Sequence, residues 1–244
     1  MAPVVRFRAA VALAGRFPAL AGVDLSLRHG EVVVVVGSNG AGKTSLLRAC
    51  AGLLAVTSGE AEVLGVDLTT DATAVRRHVG LLGHAAPLYD ELSALENVRF
   101  AVRALGLPAS DADPALERLG LVGRLRTTPA GRLSAGQRRR VALAALVARR
   151  PALWLLDEPH AGLDSASRAL LAELIDEAAT QGAGVLLSSH EPALSVPLAN
   201  RVATMSGGRV TSEEAGGRRP PLSAVRAVTG DVADSARLGA TDVA

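Results

Sequence analysis

Gly37-Ser38-Asn39-Gly40-Ala41-Gly42-Lys43-Thr44 has the residue types and spacing of a phosphate-binding loop. Glycines let successive backbone N–H groups turn inward onto phosphate oxygens, and a helix that starts there adds its positive end. Lys43 would set a compact ammonium near the β- and γ-phosphates, the Thr44 hydroxyl can ligate Mg²⁺, and Ser45 follows them in the nucleotide-binding set. A second group lies at Leu153-Trp154-Leu155-Leu156-Asp157-Glu158, four apolar residues running into two carboxylates. A buried strand of this kind delivers both acids to the carboxyl edge of a sheet, beside the loop. There Asp157 would hold the metal through water, and Glu158 would polarise the attacking water as general base. An acidic pair after a strand is by itself commonly a helix cap or solvated turn. The phosphate loop in the same chain is what favours the chemical reading.

The elements needed to position these groups are legible around them. Val32–Val36 is a short β-branched run bounded by Gly30 and Gly37, which predicts a buried strand. Thr44–Leu54 then carries apolar residues at helical spacing. Further strands are expected at Ala152–Leu156 and Gly184–Ser189, with a helix over Ser165–Thr180 between them. Strands alternating with helices predict an α/β domain with a mainly parallel core sheet. Residues 85–148 read instead as a helical insertion, punctuated by Pro108, Pro114 and Pro129. Beyond residue 210 the polar, Gly- and Pro-containing stretch to Ala244 predicts a flexible tail.

Composition excludes several alternatives. Half of the 244 residues are apolar, enough for a real core, yet aromatics are only 2%, which leaves few platforms for stacking nucleic-acid bases. The formal net charge of +2 comes from arginines interspersed with acids, so no basic stripe for nucleic acid is expected. A single cysteine, Cys50, rules out an internal disulfide framework. The longest apolar run, Val141 to Leu156, is broken by Arg149, Arg150 and Pro151, and so predicts no membrane span. The N-terminus lacks the layout of a signal peptide. Among the basic residues, Lys43 is the only lysine.

Leu133-Ser134-Ala135-Gly136-Gln137 precedes an apolar helix, and Ser134 with Gln137 makes a capping box. At this point the chain resembles the ATP-binding-cassette (ABC) ATPases, whose signature reads L-S-G-G-Q; here Ala135 replaces one glycine. The resemblance runs over about residues 1–210. It includes Ala161-Gly162-Leu163-Asp164 at the family's D-loop and His190, after Leu186-Leu187-Ser188-Ser189, at the switch-histidine position. It implies a P-loop NTPase fold with an N-terminal antiparallel β part and an inserted helical subdomain. It also implies hydrolysis of ATP with Mg²⁺ by two copies paired head to tail, the loop of one chain facing Ser134, Ala135, Gly136 and Gln137 of the other, with Asp164 nearby. His190 would then bond the γ-phosphate and the attacking water. Two departures stand out. His84 occupies the place of a metal-sensing glutamine, and Ala14 that of an adenine-stacking aromatic, for which Phe17 is the nearest substitute.

Leu82-Gly83-His84 followed by Leu88-Tyr89-Asp90-Glu91-Leu92-Ser93-Ala94-Leu95-Glu96-Asn97 looks like the haem-exporter ATPases of cytochrome c maturation. That subfamily resemblance implies integral membrane permease subunits as partners, and a cytoplasmic protein peripheral on the inner face of a bacterial cell membrane. An exporter of drug, polysaccharide or lipid type remains the alternative, as does a non-transport nucleotide-sensing module. The span from Thr44 to Ser134 holds no sustained heptads, which argues against a chromosome-maintenance ATPase. Tyr89, Leu92 and Leu95 are expected to form an exposed apolar patch for the permease, although burial of Leu92 and Leu95 is an equal possibility.

Overall fold

The computed structural model describes residues 2–83 and 87–218. His84, the expected metal-sensing position, and the stretch from 219 to 244 of the expected tail lie outside them.

Among the described residues, ten strands form two sheets: β1 Val5–Ala14, β2 Phe17–Leu27, β3 Val32–Val36, β4 Val56–Val63, β5 Val66–Asp67, β6 Val79–Leu82, β7 Leu153–Asp157, β8 Gly184–Ser189, β9 Arg201–Ser206 and β10 Arg209–Ala215. The helices are α1 Lys43–Cys50, α2 Leu68–Asp71, α3 Ala94–Arg103, α4 Ala112–Arg118, α5 Arg124–Thr127, α6 Ala135–Arg149, α7 Ser165–Thr180 and α8 Pro192–Ser195. The strands expected over 32–36 and 184–189 and the helix over 165–180 agree with β3, β8 and α7, while the expected helix after the loop ends sooner, at Cys50.

The larger sheet has the order β10-β9-β3-β8-β7-β6, parallel throughout except for β10. Its inner strands are apolar along their length because both faces are covered, and successive side chains serve opposite cores. Val32, Val34, Trp154, Leu156, Val185 and Leu187 join one core with residues of α3, α4, α6 and α7. Val33, Val35, Leu153, Leu155 and Leu186 join the other, with α1 and the smaller sheet. That smaller sheet, β2-β1-β4-β5, is antiparallel. It is the antiparallel N-terminal part that the resemblance implied.

Helices α3 to α6 occupy the region read as a helical insertion. The folded chain also continues past residue 210. β10 runs to Ala215, and the Arg218 guanidinium donates to Asp176 Oδ1 at 2.9 Å and Asn200 Oδ1 at 3.1 Å. Gly207-Gly208, where the character of the sequence changes, is the tight turn between β9 and β10. Cys50 is wholly buried at the end of α1, and burial pushes its thiol up to about 12, which makes it inert. Among the described residues no helix is long and apolar enough to cross a membrane.

Candidate functional site

Strand β8 lies between β3 and β7, and the register sets Val36 against Ser189 and Asp157 against Ser188. Three strands therefore end level at one edge. The phosphate loop leaves β3 there, Asp157 and Glu158 leave β7, and His190 leaves β8. This is the carboxyl edge of a parallel sheet, the usual place for a ligand in such folds.

The loop takes its shape from glycines that no other residue could replace. Gly37 has φ 153°, and a Cβ there would lie 2.2 Å from the Met205 carbonyl oxygen. Gly42, at φ 105°, caps α1, and a Cβ would meet the Ala19 oxygen at 2.8 Å. Lys43 is buried, and its Nζ donates to the carbonyls of Gly37 at 2.8 Å and Ser38 at 3.2 Å, so the ammonium is folded into the concavity of its own loop. The cleft, of about 500 Å³, is lined by Asn39 to Ser45, Asp157 and Glu158, and by Pro18, Ala19, Gly207 and Gly208. Sequence reading did not foresee the last four. They come from two hairpins, and the Gly208 N–H donates to the Ala41 carbonyl at 2.9 Å.

Thr44 and the acidic strand meet directly, with Thr44 Oγ1 donating to Asp157 Oδ2 at 2.9 Å. The buried Ser188 hydroxyl donates to Asp157 Oδ1 at 2.6 Å and accepts the Glu158 N–H at 3.1 Å. Glu158 Oε2 accepts the His190 backbone N–H at 3.1 Å and lies 2.6 Å from His190 Nδ1. A hydroxyl and a carboxylate in contact beside a phosphate loop are hard oxygen donors that suit Mg²⁺, which takes one or two protein ligands and completes its shell with water and phosphate. Such a site needs no dedicated cage. Accordingly, the described residues contain no group of three or more His, Cys, Asp or Glu able to hold a metal.

The signature residues stand elsewhere. Ser134 and Gln137 form the expected capping box: the Ser134 N–H donates to Gln137 Oε1 at 2.9 Å, and the Gln137 N–H to Ser134 Oγ at 3.2 Å. Ser134 and Ala135 are exposed, and neither they nor Gly136 and Gln137 line the cleft. A Cβ at Gly136 would meet the Gly162 oxygen at 3.9 Å, so the Ala161–Asp164 segment runs beside the signature. Asp164 caps α7, accepting the Ser167 N–H at 2.8 Å; that bond and one to the Ser167 side chain hold its carboxyl below the usual range.

Three further side chains went unread in the sequence. Ser188 begins the polar end of a strand that is apolar before it, which was the available signal. Arg139 is buried on α6, donating to the Gly83 carbonyl and, at 3.3 Å each, to the carbonyls of Asp157 and Glu158. Its helical spacing from Leu143 and Leu146 could have placed it on the inner face. His160 is 5% exposed and neither ring nitrogen has a partner among the described residues; burial, then Arg168, lower its pKa, against weaker opposing effects of Glu191 and Glu158. At the far rim, Ala14 ends β1, and Phe17 is 79% exposed beside the cleft residue Pro18.

A groove of about 470 Å³ opens next to the helical region, between β6 and α3 and α6, with Leu88, Tyr89, Phe100 and Ala145 on its walls. Tyr89 and Phe100 are half exposed and pack edge to face, ring centroids 4.9 Å apart. The Asn97 carboxamide fixes the Tyr89 loop through the Tyr89 N–H and the carbonyls of Tyr89, Leu92 and Ser93. Leu92 and Leu95 are half-buried, Leu95 packing on the core, so the exposed pair is Tyr89 with Phe100.

Residues 20–161 match the ABC transporter family. The chain is 45% identical over 186 residues to the "Cytochrome c biogenesis ATP-binding export protein CcmA" of Bordetella bronchiseptica, covering 75% of this chain and 82% of that one. The protein of the same name from Methylococcus capsulatus is 42% identical over 171 residues, 69% and 82% of the two chains. Among solved structures, the dimeric post-hydrolysis state of an ATP-binding cassette bound to ADP and Pi aligns with TM-score 0.80 at 25% identity, covering 88% of this chain and 99% of that one. The ATP-binding subunit of an ABC transporter aligns with TM-score 0.81 at 26% identity, over 93% of each chain.

Proposed function

The chain belongs to the ABC transporter family as an ATP-hydrolysing nucleotide-binding subunit, and from that premise we propose that it drives export for cytochrome c biogenesis, with haem as the exported group. The observation that carries the mechanistic part is the meeting of Lys43, Thr44, Asp157, Glu158 and His190 at one sheet edge while Ser134–Gln137 do not line that cleft and Ser134 and Ala135 stand exposed. One chain thus holds a phosphate cradle lacking its second wall, and a helix N-terminus lacking an anion. Two chains paired head to tail supply each other. The related cassette that is dimeric with ADP and Pi supports this arrangement.

In the pair, the backbone N–H groups of Ser38–Thr44 hold the β- and γ-phosphates, and Lys43 exchanges its carbonyl partners for phosphate oxygens. Thr44 and Asp157 would hold Mg²⁺, which when bound neutralises charge on those phosphates. Glu158 takes a proton from the water that attacks the γ-phosphorus; the bond to the ADP oxygen breaks, leaving ADP and inorganic phosphate. His190, bonded to the Glu158 carboxylate, orients it. Ser134, Ala135, Gly136 and Gln137 of the second chain complement the γ-phosphate through the α6 N-terminus. Asp164, on the segment beside the signature, belongs to the same joint. Phe17 covers the adenine from the rim that Ala14 leaves open.

The groove bordered by Tyr89 and Phe100 takes the cytoplasmic part of a membrane permease subunit, which keeps the chain peripheral on the inner face of the membrane. The resemblance around Leu82–Asn97 and the names of the relatives favour cytochrome c biogenesis over drug, polysaccharide or lipid export. Complementation tests this. In a bacterium deleted for its own relative, the wild-type gene with its permease genes should restore holocytochrome c, and Glu158→Gln should not. Active ATPase without holocytochrome c would point to another substrate. Wild-type turnover by Glu158→Gln would remove the general-base assignment.

A further inference from the structure

Glu158 is a non-glycine residue at φ 48°, in the left-handed region. Such a conformation persists only where its surroundings over-determine it. Two side chains given no catalytic role above do so, one from β8 and one from α6. Ser188 accepts the Glu158 N–H and, through the same hydroxyl, holds Asp157. Arg139 reaches the Glu158 and Asp157 carbonyls with one terminal nitrogen and the Gly83 carbonyl with the other. Burial lowers the pKa of Arg139, and Asp157 opposes that effect. A buried guanidinium whose bonds all go to carbonyl oxygens is an expensive way to fill space, and an apolar side chain on the same helix face would pack as well.

We propose that Arg139 and Ser188 are positioning residues for the catalytic reaction: together they lock the Glu158 backbone so that its carboxylate meets the attacking water. Arg139 also ties that lock to α6, whose N-terminus carries Ser134–Gln137, and to the strand end just before His84. A lysine keeps the charge but, as a single point donor on a flexible stem, cannot span the two carbonyl groups and Gly83 together. Ser188→Thr keeps the hydroxyl, whereas Ser188→Ala removes it.

The inference rests on the reading of Glu158 as general base, so the test separates the two. Steady-state ATPase, equilibrium binding of a fluorescent ATP analogue and thermal unfolding are measured for Arg139→Lys, Arg139→Gln, Ser188→Ala, Ser188→Thr and Glu158→Gln, and for Arg139→Lys and Ser188→Ala in the Glu158→Gln background. For Arg139→Lys and Ser188→Ala, kcat should fall about tenfold or more, as for a misplaced catalytic group, with nucleotide affinity within about twofold of wild type. Ser188→Thr should recover most of the loss. Neither substitution should lower turnover further once Glu158 is Gln, because effects of groups acting through one residue are not additive. Unchanged kcat in Arg139→Lys and Arg139→Gln, full additivity, or losses that track unfolding would each overturn the proposal. If Glu158→Gln itself turns over like wild type, the general-base reading fails first and this inference with it.

Discussion

Lys43 stands alone among 26 basic residues, and its surroundings explain why arginine would not serve. Its ammonium sits within a loop whose carbonyls lie 2.8 and 3.2 Å away, a space for a compact point charge and not for a planar fork. Lys43→Arg should therefore lower ATPase by about tenfold or more despite the kept charge, as read by phosphate release; wild-type turnover would contradict the steric argument. His160 carries a pH consequence. Its folded pKa lies below the unfolded value of about 6.5, so below that pH the unfolded chain binds more protons, and stability falls with acidification toward the folded pKa. Since neither ring nitrogen has a partner among the described residues, His160→Leu should be nearly neutral at pH 8 and should flatten the loss of urea midpoint between pH 6.5 and 5. An equally steep loss in the variant would assign it to other groups.

The elements that hold the site are secured by local rules as much as by packing. Helix α3, which walls the groove at Tyr89 and Phe100, begins with a complete capping box. The Ser93 hydroxyl accepts the Glu96 N–H, and Glu96 Oε2 accepts the Ser93 N–H at 2.8 Å. Ser93→Ala should cost about 1 kcal/mol in chemical denaturation and leave specific ATPase activity near wild type, since no residue of α3 reaches the cleft. A large loss of turnover without loss of stability would mean that α3 does more than support the groove. At this scale the sequence was legible where both faces of a strand are buried: Val32–Val36 and the stretch Val185–Leu187 of β8 are apolar because they cannot be otherwise. β9 and β10 were not read. One is a parallel strand at the side of the core and the other an exposed antiparallel edge, and their mixed polarity matches neither template.

The two halves of the proposed reaction centre sit apart on one chain, so the proposed reaction needs two chains. Mixing supplies the test. A Lys43→Ala chain keeps its signature, and a Ser134→Glu chain keeps its cleft. Each alone should be nearly inactive, while an equimolar mixture should regain turnover through the one composite site with both parts intact. A mixture no more active than its components would rule out sharing in trans. With Glu158→Gln, ATP should also shift the protein to a dimer in sedimentation, and ADP should not.

The motifs at 37–44 and 153–158 disclosed phosphate chemistry by local pattern, because phosphate binding demands backbone glycines, one ammonium, one hydroxyl and strand-borne acids in fixed local order. Residues 133–137, by contrast, read locally as a helix start and spoke to function only through the resemblance to ABC ATPases. Sequence order likewise disclosed the alternating core, since buried parallel strands must be apolar throughout. Only the folded chain decided which residues complete the site. Gly207-Gly208 reaches the loop from a hairpin far along the chain, and Pro18 and Ala19 from another. Ser188 and Arg139 grip Glu158 from a neighbouring strand and from a helix that begins with the signature. These contacts join segments distant in sequence, where no spacing rule applies. The strained conformation of Glu158 and the separation of Ser134–Gln137 from their own cleft are properties of the packed sheet edge, and no local pattern encodes them.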